Sequence, residues 1–242
     1  MRILNVVGGL VVGGALLVAA GAGVIARREG LPMGEVFELG ADIVASKVTR
    51  QTVADRISAI EAKKPALKGL AKTAGGKLRL LVFKFERRLE VHAPGWKTPL
   101  IYPMTGFCGT LGPKLREGDR QIPEGIYGIE YLNPNSSYYL SLKVSYPNAS
   151  DRRRAKAEGR TNLGGDIMIH GKNVTIGCVP IGDDAIEDVF YLANSVGIRN
   201  VSVVMAPYDM RQGRKPELEA SPYAWYGALC AEIASALTGG RP

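Results

Sequence analysis

The residues best placed to do chemistry lie between Asp166 and Asp184, where His170, one of only two histidines, precedes Cys178 by eight positions. A thiolate is a strong nucleophile, but a free cysteine with a pKa of about 8.5 is largely protonated at neutral pH, so it needs a neighbouring base or cation. An imidazole is the usual base. In this stretch Ile167–Ile169 is apolar enough for a buried strand, His170-Gly171 leaves that strand, and Thr175-Ile-Gly-Cys178 makes a tight return. Gly177 lets backbone amides come close to a substrate oxygen, as an oxyanion formed by attack on a carbonyl requires. Cysteine is also a common small buried hydrophobe, so the spacing by itself leaves a structural and a nucleophilic reading open.

The elements that must position these residues can be read upstream and downstream. From Lys77 the apolar period is two: Leu78, Leu80 and Val82 on one face, Leu81, Phe83 and Phe85 on the other, a strand buried on both sides. Glu86-Arg-Arg88 turns the chain towards Leu89-Glu-Val91, and Leu100–Thr105 gives a further strand. His92, beside Pro94-Gly95, reads as a solvated turn residue. Gly118–Gly125 is a polar loop before a strand over Ile126–Tyr131, and Tyr138, Leu140, Leu142 and Val144 alternate as a half-buried strand. Tyr146–Thr161 reads as a long loop whose Arg152-Arg-Arg154 run either binds carboxylates or is simply solvated. After Cys178, Asp184 and Glu187 predict a capping box for a helix with Ile186, Val189, Phe190 and Ala193 on one face. Val201, Val203 and Met205 form a last core strand. Ser221-Pro222 predicts the start of a final helix to about Leu237, with Trp225 and Tyr226 as packing residues.

The remaining composition narrows the function. The chain has 242 residues and a net charge of +8, from 31 Lys+Arg against 23 Asp+Glu, which favours anionic surroundings or is a generally basic solvated surface. No helix-turn-helix, zinc-ligand set or aromatic RNA-binding motif is visible, so nucleic acid is not expected as a partner. Three cysteines are too few for a disulfide framework and two histidines too few for a histidine-rich metal site, so neither metal nor cofactor is expected. Cys108 and Cys230 read as thiols, with a bridge between them as the alternative.

The N-terminal run Ile3–Ala26 carries no charge over twenty-four residues and would extend about 36 Å as a helix, enough to span a bilayer. Its length favours an uncleaved signal-anchor; the small residues at Ala20-Gly-Ala22 suit a cleaved signal peptide. Residues 30–75 carry helical periodicity: Val36, Leu39, Ile43 and Val44, then Val53, Ile57 and Ile60. They read as an amphipathic spacer that either packs on the following domain or lies on an anionic membrane surface. Its last part, Lys63–Gly76, reads as a linker broken by Pro65 and Gly75-Gly76.

The motif Ile-His-Gly followed by Thr-x-Gly-Cys, with Gly112–Gly125, Asn133–Leu140 and Tyr146–Asp151 followed by Gly159-Arg-Thr161 in the same order upstream, resembles the L,D-transpeptidase catalytic domain family (YkuD type), specifically its YafK-like branch. The resemblance covers about residues 76–237. It implies a mainly β fold, an L,D-transpeptidase-type β-sandwich with short helices, here preceded by the N-terminal membrane helix and helical spacer. The expected division is a membrane segment at 1–28, a spacer at 29–76, a catalytic domain at 77–237 and a tail at 238–242. The resemblance implies Cys178 as nucleophile, His170 as base, the Gly171 carbonyl orienting the imidazole, and the amides of Gly177 and Cys178 as oxyanion donors. By the same resemblance Arg120, Tyr146, Arg160 and Thr175 are expected to bind substrate. The implied substrates are peptidoglycan stem peptides, processed through a thioacyl-enzyme in the cell envelope. A hydrolase of the same fold that releases peptides or proteins from peptidoglycan, or a domain that binds the wall without turnover, is the alternative. Two departures stand out: Ile122 where the family usually has Thr, and Val179-Pro-Ile181 where most members carry Arg soon after the cysteine.

Overall fold

The computed structural model describes residues 50–212, 216 and 222–239. The expected membrane segment lies outside them, and among the described residues no helix is long and apolar enough to cross a membrane.

Strand β1, Leu78–Phe83, alternates as its sequence predicts, with Leu78, Leu80 and Val82 in the main core and Leu81 and Phe83 in a second, smaller one. Phe85, expected to continue that second face, is past the strand end and exposed. Seven further strands follow: β2 Arg88–His92, β3 Leu100–Pro103, β4 Gly125–Ser136, β5 Tyr139–Val144, β6 Met168–His170, β7 Val179–Pro180 and β8 Val201–Ala206. They form one sheet in the order β3-β2-β1-β8-β4-β5-β6-β7. The protein is therefore mainly β with short helices.

The longest strand joins the two halves of the sheet. Gly125–Gly128 of β4 pairs with β8, whereas Ile129–Ser136 pairs with β5. Register shifts fall between Ile129 and Tyr131 and between Asn133 and Ser136. Such irregularities bend a strand and increase its twist, so β4 can leave one partner and take another. The second one contains Pro134, which has no N–H to give to a ladder.

Helices cover both faces. Helix α1, Val53–Lys63, and α2, Ala66–Thr73, pack against Asp183–Val196, a later helix, on the side of the main core. The apolar face of α1, with Ile60 buried and Val53 and Ile57 partly so, is thus turned to the domain. Much of the expected linker is helix α2; the chain breaks at Gly75 and Gly76, whose φ angles of 69° and 73° suit glycine. A further helix, α3 Ala149–Ala157, replaces the loop expected around Arg152–Arg154. Its capping box, Asn148 with Asp151, was present in the sequence but masked by the charge run.

Helix α4, Asp183–Val196, buries Ile186, Val189, Phe190 and Ala193 as its period predicts. The predicted capping box is absent: Gly182 is the N-cap, and Glu187 lies inside the helix, buried, accepting from Lys63 Nζ at 2.8 Å and the Tyr139 hydroxyl at 2.5 Å. Those donors hold the carboxylate away from the helix end. Helix α5, Tyr226–Leu237, covers the smaller core with Leu229, Ile233 and Leu237. It begins after Trp225 rather than at Pro222, because Tyr223 and Trp225 are held outside the helix. Trp225 Nε1 donates to Glu158 at 2.6 Å, Tyr223 stacks on Trp225, and Tyr226 donates to Glu124 at 2.6 Å. Ser221 lies outside the described residues.

Candidate active site at the β6–β7 edge

Three short strands set the site by alternation. Leu142 on β5, Ile169 on β6 and Val179 on β7 are in register and fully buried in the core. Their neighbours in sequence must face the other way. That opposite face carries Ser141 and Lys143 from β5, Met168 and His170 from β6, and Pro180 from β7. Cys178, one residue before β7, continues that register opposite Met168. His170 and Cys178 are thereby on one face of adjacent strands, two residues apart along the register.

The return between them is not a hairpin. β6 and β7 run parallel, so residues 171–178 complete a full loop in a much shorter span than most parallel connections use. Two contacts allow it. Gly171 is packed so closely that a Cβ there would lie 2.5 Å from Asp183 Oδ1 and 2.8 Å from the Tyr138 carbonyl oxygen. Asp183, at the start of α4, accepts from the Lys172 amide at 2.8 Å. Gly177 has φ 131°, a conformation that β-carbons disfavour, and lies against the Arg120-Gln121 backbone.

The imidazole is buried, 1% exposed, and its Nδ1 contacts the Gly171 carbonyl oxygen at 2.5 Å. A carbonyl only accepts, so Nδ1 carries the proton and Nε2 presents a lone pair. Burial lowers the His170 pKa to about 4, against the opposing pull of the Gly171 carbonyl and Asp183. The thiol is also neutral: burial pushes Cys178 up, while the Met168 amide, 3.4 Å from Sγ, and the Lys143 and Lys114 ammonium groups draw it down and Asp166 pushes it up. Lys143 is buried and pairs with Asp166 Oδ1 at 3.1 Å.

The other predicted site residues divide. Thr175 is in the loop, but its hydroxyl oxygen accepts from the amides of Gly177, at 3.1 Å, and Cys178, at 2.8 Å, and donates to the Cys178 carbonyl at 2.9 Å. It braces the turn, and it occupies the two amides expected to serve an oxyanion. Arg120, with φ 58°, brings its backbone against Gly177. Arg160 donates to the Leu115 carbonyl at 2.9 Å and to Glu158 at 2.7 Å. It lines a cleft of about 680 Å³ with Leu115, Arg116, Asp119, Gln121 and Asn162. Gln121 connects that cleft to the cysteine loop, since its carbonyl oxygen lies 3.2 Å from a Cβ built on Gly177. Tyr146 is elsewhere: 3% exposed, it donates to the Leu163 carbonyl and packs edge-on against Tyr127. Ile122 is fully buried in the core. His92 ends β2 and contacts Glu90 at 2.8 Å, four strands away from β5 in the sheet order.

Sequence reasoning missed Tyr138, Ser141 and Lys143. The Tyr138 ring lies 4.6 Å from the His170 ring at 40°. The Ser141 hydroxyl is buried with no hydrogen-bond partner among the described residues. The signal was the alternation of Leu140, Leu142 and Val144. It marks Ser141 and Lys143 as the opposite face, the one that carries His170, whereas Tyr138 is in phase with the leucines and had no such signal. All three cysteines are free, and no cluster of metal-ligating side chains occurs among the described residues.

Fold and site together define a mainly β protein with a cysteine–histidine pair at a sheet edge. No protein-family model matches the chain. Among curated proteins, it is 33% identical over 144 residues to "Putative L,D-transpeptidase YafK" of Escherichia coli K12, and equally to that of strain O157:H7. The match spans 56% of this chain and 56% of the relative, so little more than half of each is compared. The resemblance to the YafK-like branch of the L,D-transpeptidase family, carried by the motifs, is thereby borne out. Solved structures similar to the chain include the helical cell shape determining protein Pgp2 from Campylobacter jejuni, at 24% identity and TM-score 0.43 over 59% of this chain and 56% of that one. L,D-transpeptidase 1 from Mycobacterium tuberculosis is another, at 16% identity and TM-score 0.30 over 53% of this chain and 61% of that one.

Proposed function

We propose that the protein is a cysteine-nucleophile L,D-transpeptidase acting on peptidoglycan stem peptides in the cell envelope. The observation that carries this reading is the placement of His170 and Cys178 on one face of adjacent parallel strands, with His170 Nδ1 held by the next carbonyl. Because both groups rest neutral, His170 acts as a general base during attack rather than as half of a standing ion pair. Nε2 takes the thiol proton as Sγ bonds to the carbonyl carbon preceding a terminal D-amino acid. The tetrahedral intermediate collapses, the C–N bond breaks, and the imidazolium returns the proton to the departing amine. A second amine then attacks the thioester and restores the thiol. The catalytic domain in this reading is 77–237, with the helices of 53–73 packed on it and the apolar segment 1–28 as its membrane anchor.

The neighbouring cleft supports the substrate class. Its arginines, Arg116 and Arg160, suit the carboxylates of a stem peptide. Incubation with tetrapeptide muropeptides, with and without an added amine acceptor, tests the assignment by mass analysis. Exchanged or cross-linked product that is absent for Cys178→Ala is the expected result. Shortened peptide alone would make water the acceptor and the protein a hydrolase. No product from any muropeptide, including protein-linked ones, would leave a binding domain.

A further inference from the structure

The donors expected for the oxyanion already have an acceptor in the structure, and another donor lies beside the histidine. Attack by Cys178 on a carbonyl places negative charge on an oxygen about one bond from the sulfur, and this charge needs a donor that is unoccupied before reaction. The Gly177 and Cys178 amides already donate to Thr175 Oγ1. The Met168 amide points at Sγ itself, where it serves the sulfur rather than the carbonyl.

Tyr138 lies in the turn between β4 and β5, with its amide held by the Ser136 hydroxyl at 3.1 Å. Its ring is fixed 4.6 Å from the His170 ring, which places it on the site face of β6. Its backbone carbonyl is against Gly171, so the turn and the histidine loop are packed together. The phenol hydroxyl makes no hydrogen bond to another described residue and, on a partly exposed side chain, is open to a substrate oxygen. We propose that the Tyr138 hydroxyl is the oxyanion donor of this site, and that its ring also holds His170 in the position from which Nε2 reaches the thiol. Burial and the charge of a Cys178 thiolate both push the phenol's pKa upward, so the hydroxyl keeps its proton and remains a donor throughout the neutral range. This inference rests on Cys178 being the nucleophile, as in the proposed function, but not on the identity of the peptide.

Two reactions of the same thiol separate the roles. Acylation by p-nitrophenyl acetate passes through a tetrahedral oxyanion: Sγ bonds to the acetyl carbon, p-nitrophenolate leaves, and His170 takes the thiol proton. Alkylation by iodoacetamide displaces iodide at a saturated carbon and forms no oxyanion. Both rates would be measured for the full chain carrying Cys108→Ser and Cys230→Ser, with and without Tyr138→Phe, with mass spectrometry locating each adduct. The phenylalanine ring keeps the contact with His170, so alkylation should stay within about twofold while acylation falls by about 10²-fold, the usual loss for one oxyanion donor. Equal falls in both rates would show that Tyr138 acts only through the histidine and thiol, and overturn the donor assignment. Unchanged acylation would overturn it as well. A parent protein with no acetyl adduct at Cys178 would instead remove the nucleophile on which the proposed function depends.

Discussion

Two buried polar clusters in this molecule are built on opposite principles. Around Lys84, fully buried at the end of β1, every bond is made: Nζ donates to the Gly112 carbonyl at 2.7 Å, the Ile122 carbonyl at 3.0 Å and Glu124 Oε1 at 2.8 Å. Glu124 in turn accepts from the Gly112 amide and the Tyr226 hydroxyl. Burial draws the Lys84 pKa down while Glu124 pulls it up, and the surrounding carbonyls hold the ammonium in place. Around His170 the bonds are incomplete: the buried Ser141 hydroxyl has no partner among the described residues, and neither His170 nor Cys178 is charged at rest. A satisfied buried network fixes geometry, whereas an unsatisfied one keeps capacity for a charge that appears later. The first ties the 112–124 loop to α5 and the sheet; the second lies beside that loop and depends on its position.

The sharpest way to break this contrast is to remove one member of each cluster. Cys178→Ala should abolish turnover of muropeptides and leave the thermal unfolding curve close to that of the parent, since the sulfur is half-buried and makes only weak contacts. Lys84→Met should do the reverse. It leaves the Glu124 carboxylate buried without its cation, a loss of about 3–5 kcal/mol for a broken buried pair. Chemical denaturation would read this as a lower midpoint with little change in slope. Loss of activity without loss of stability in this variant would mean that the ion pair positions the 112–124 loop for the site rather than holding the fold together.

A smaller effect distinguishes the clusters by pH. The His170 pKa of about 4 in the folded protein is below its ordinary value of 6.5. Between these values the unfolded chain binds the proton and the folded one does not, so stability from this group is full above pH 6.5 and is lost as pH falls towards 4. The loss approaches about 3 kcal/mol at the acid end. Denaturation midpoints measured from pH 7 to pH 4 should therefore fall, and His170→Gln should remove that part of the slope. An identical slope in the variant would show that other groups titrate in this window.

How far this contrast could be read from residues alone follows from the range of the interactions. The strand alternation, the core face of α4, and the pairing of His170 with Cys178 are local or motif-borne, and they were legible. The occupied amides were not, because Thr175 is a turn brace only once the loop is seen to close between parallel strands. Tyr146 stood in a motif segment yet is buried against Tyr127, a contact nineteen residues away in sequence. Arg152–Arg154 looked like a loop because its charge concealed the Asn148–Asp151 cap. Lys84 and Glu124, forty residues apart, gave no signal at all, since a lone lysine at a strand end is normally solvated.

The smallest effect concerns Lys143, the buried cation that belongs to the site and not to the ion-pair network. It lies on β5 opposite Met168, next to Cys178 in the register, and its charge draws the thiol pKa down. Its partner Asp166 is 91% exposed on the side chain, so water already weakens that pair and little stability depends on it. Lys143→Met keeps the stem and removes the charge. The thiol then ionises at higher pH, and alkylation by iodoacetamide at pH 7 should slow by about two- to fivefold, as expected for one screened charge. The rates should converge at alkaline pH, where both thiols are ionised. The melting temperature should change little. Where Lys84→Met moves stability and spares the thiol, Lys143→Met should move the thiol and spare stability. A rate that falls equally at every pH would mean that the substitution has displaced the sulfur rather than changed its charge environment.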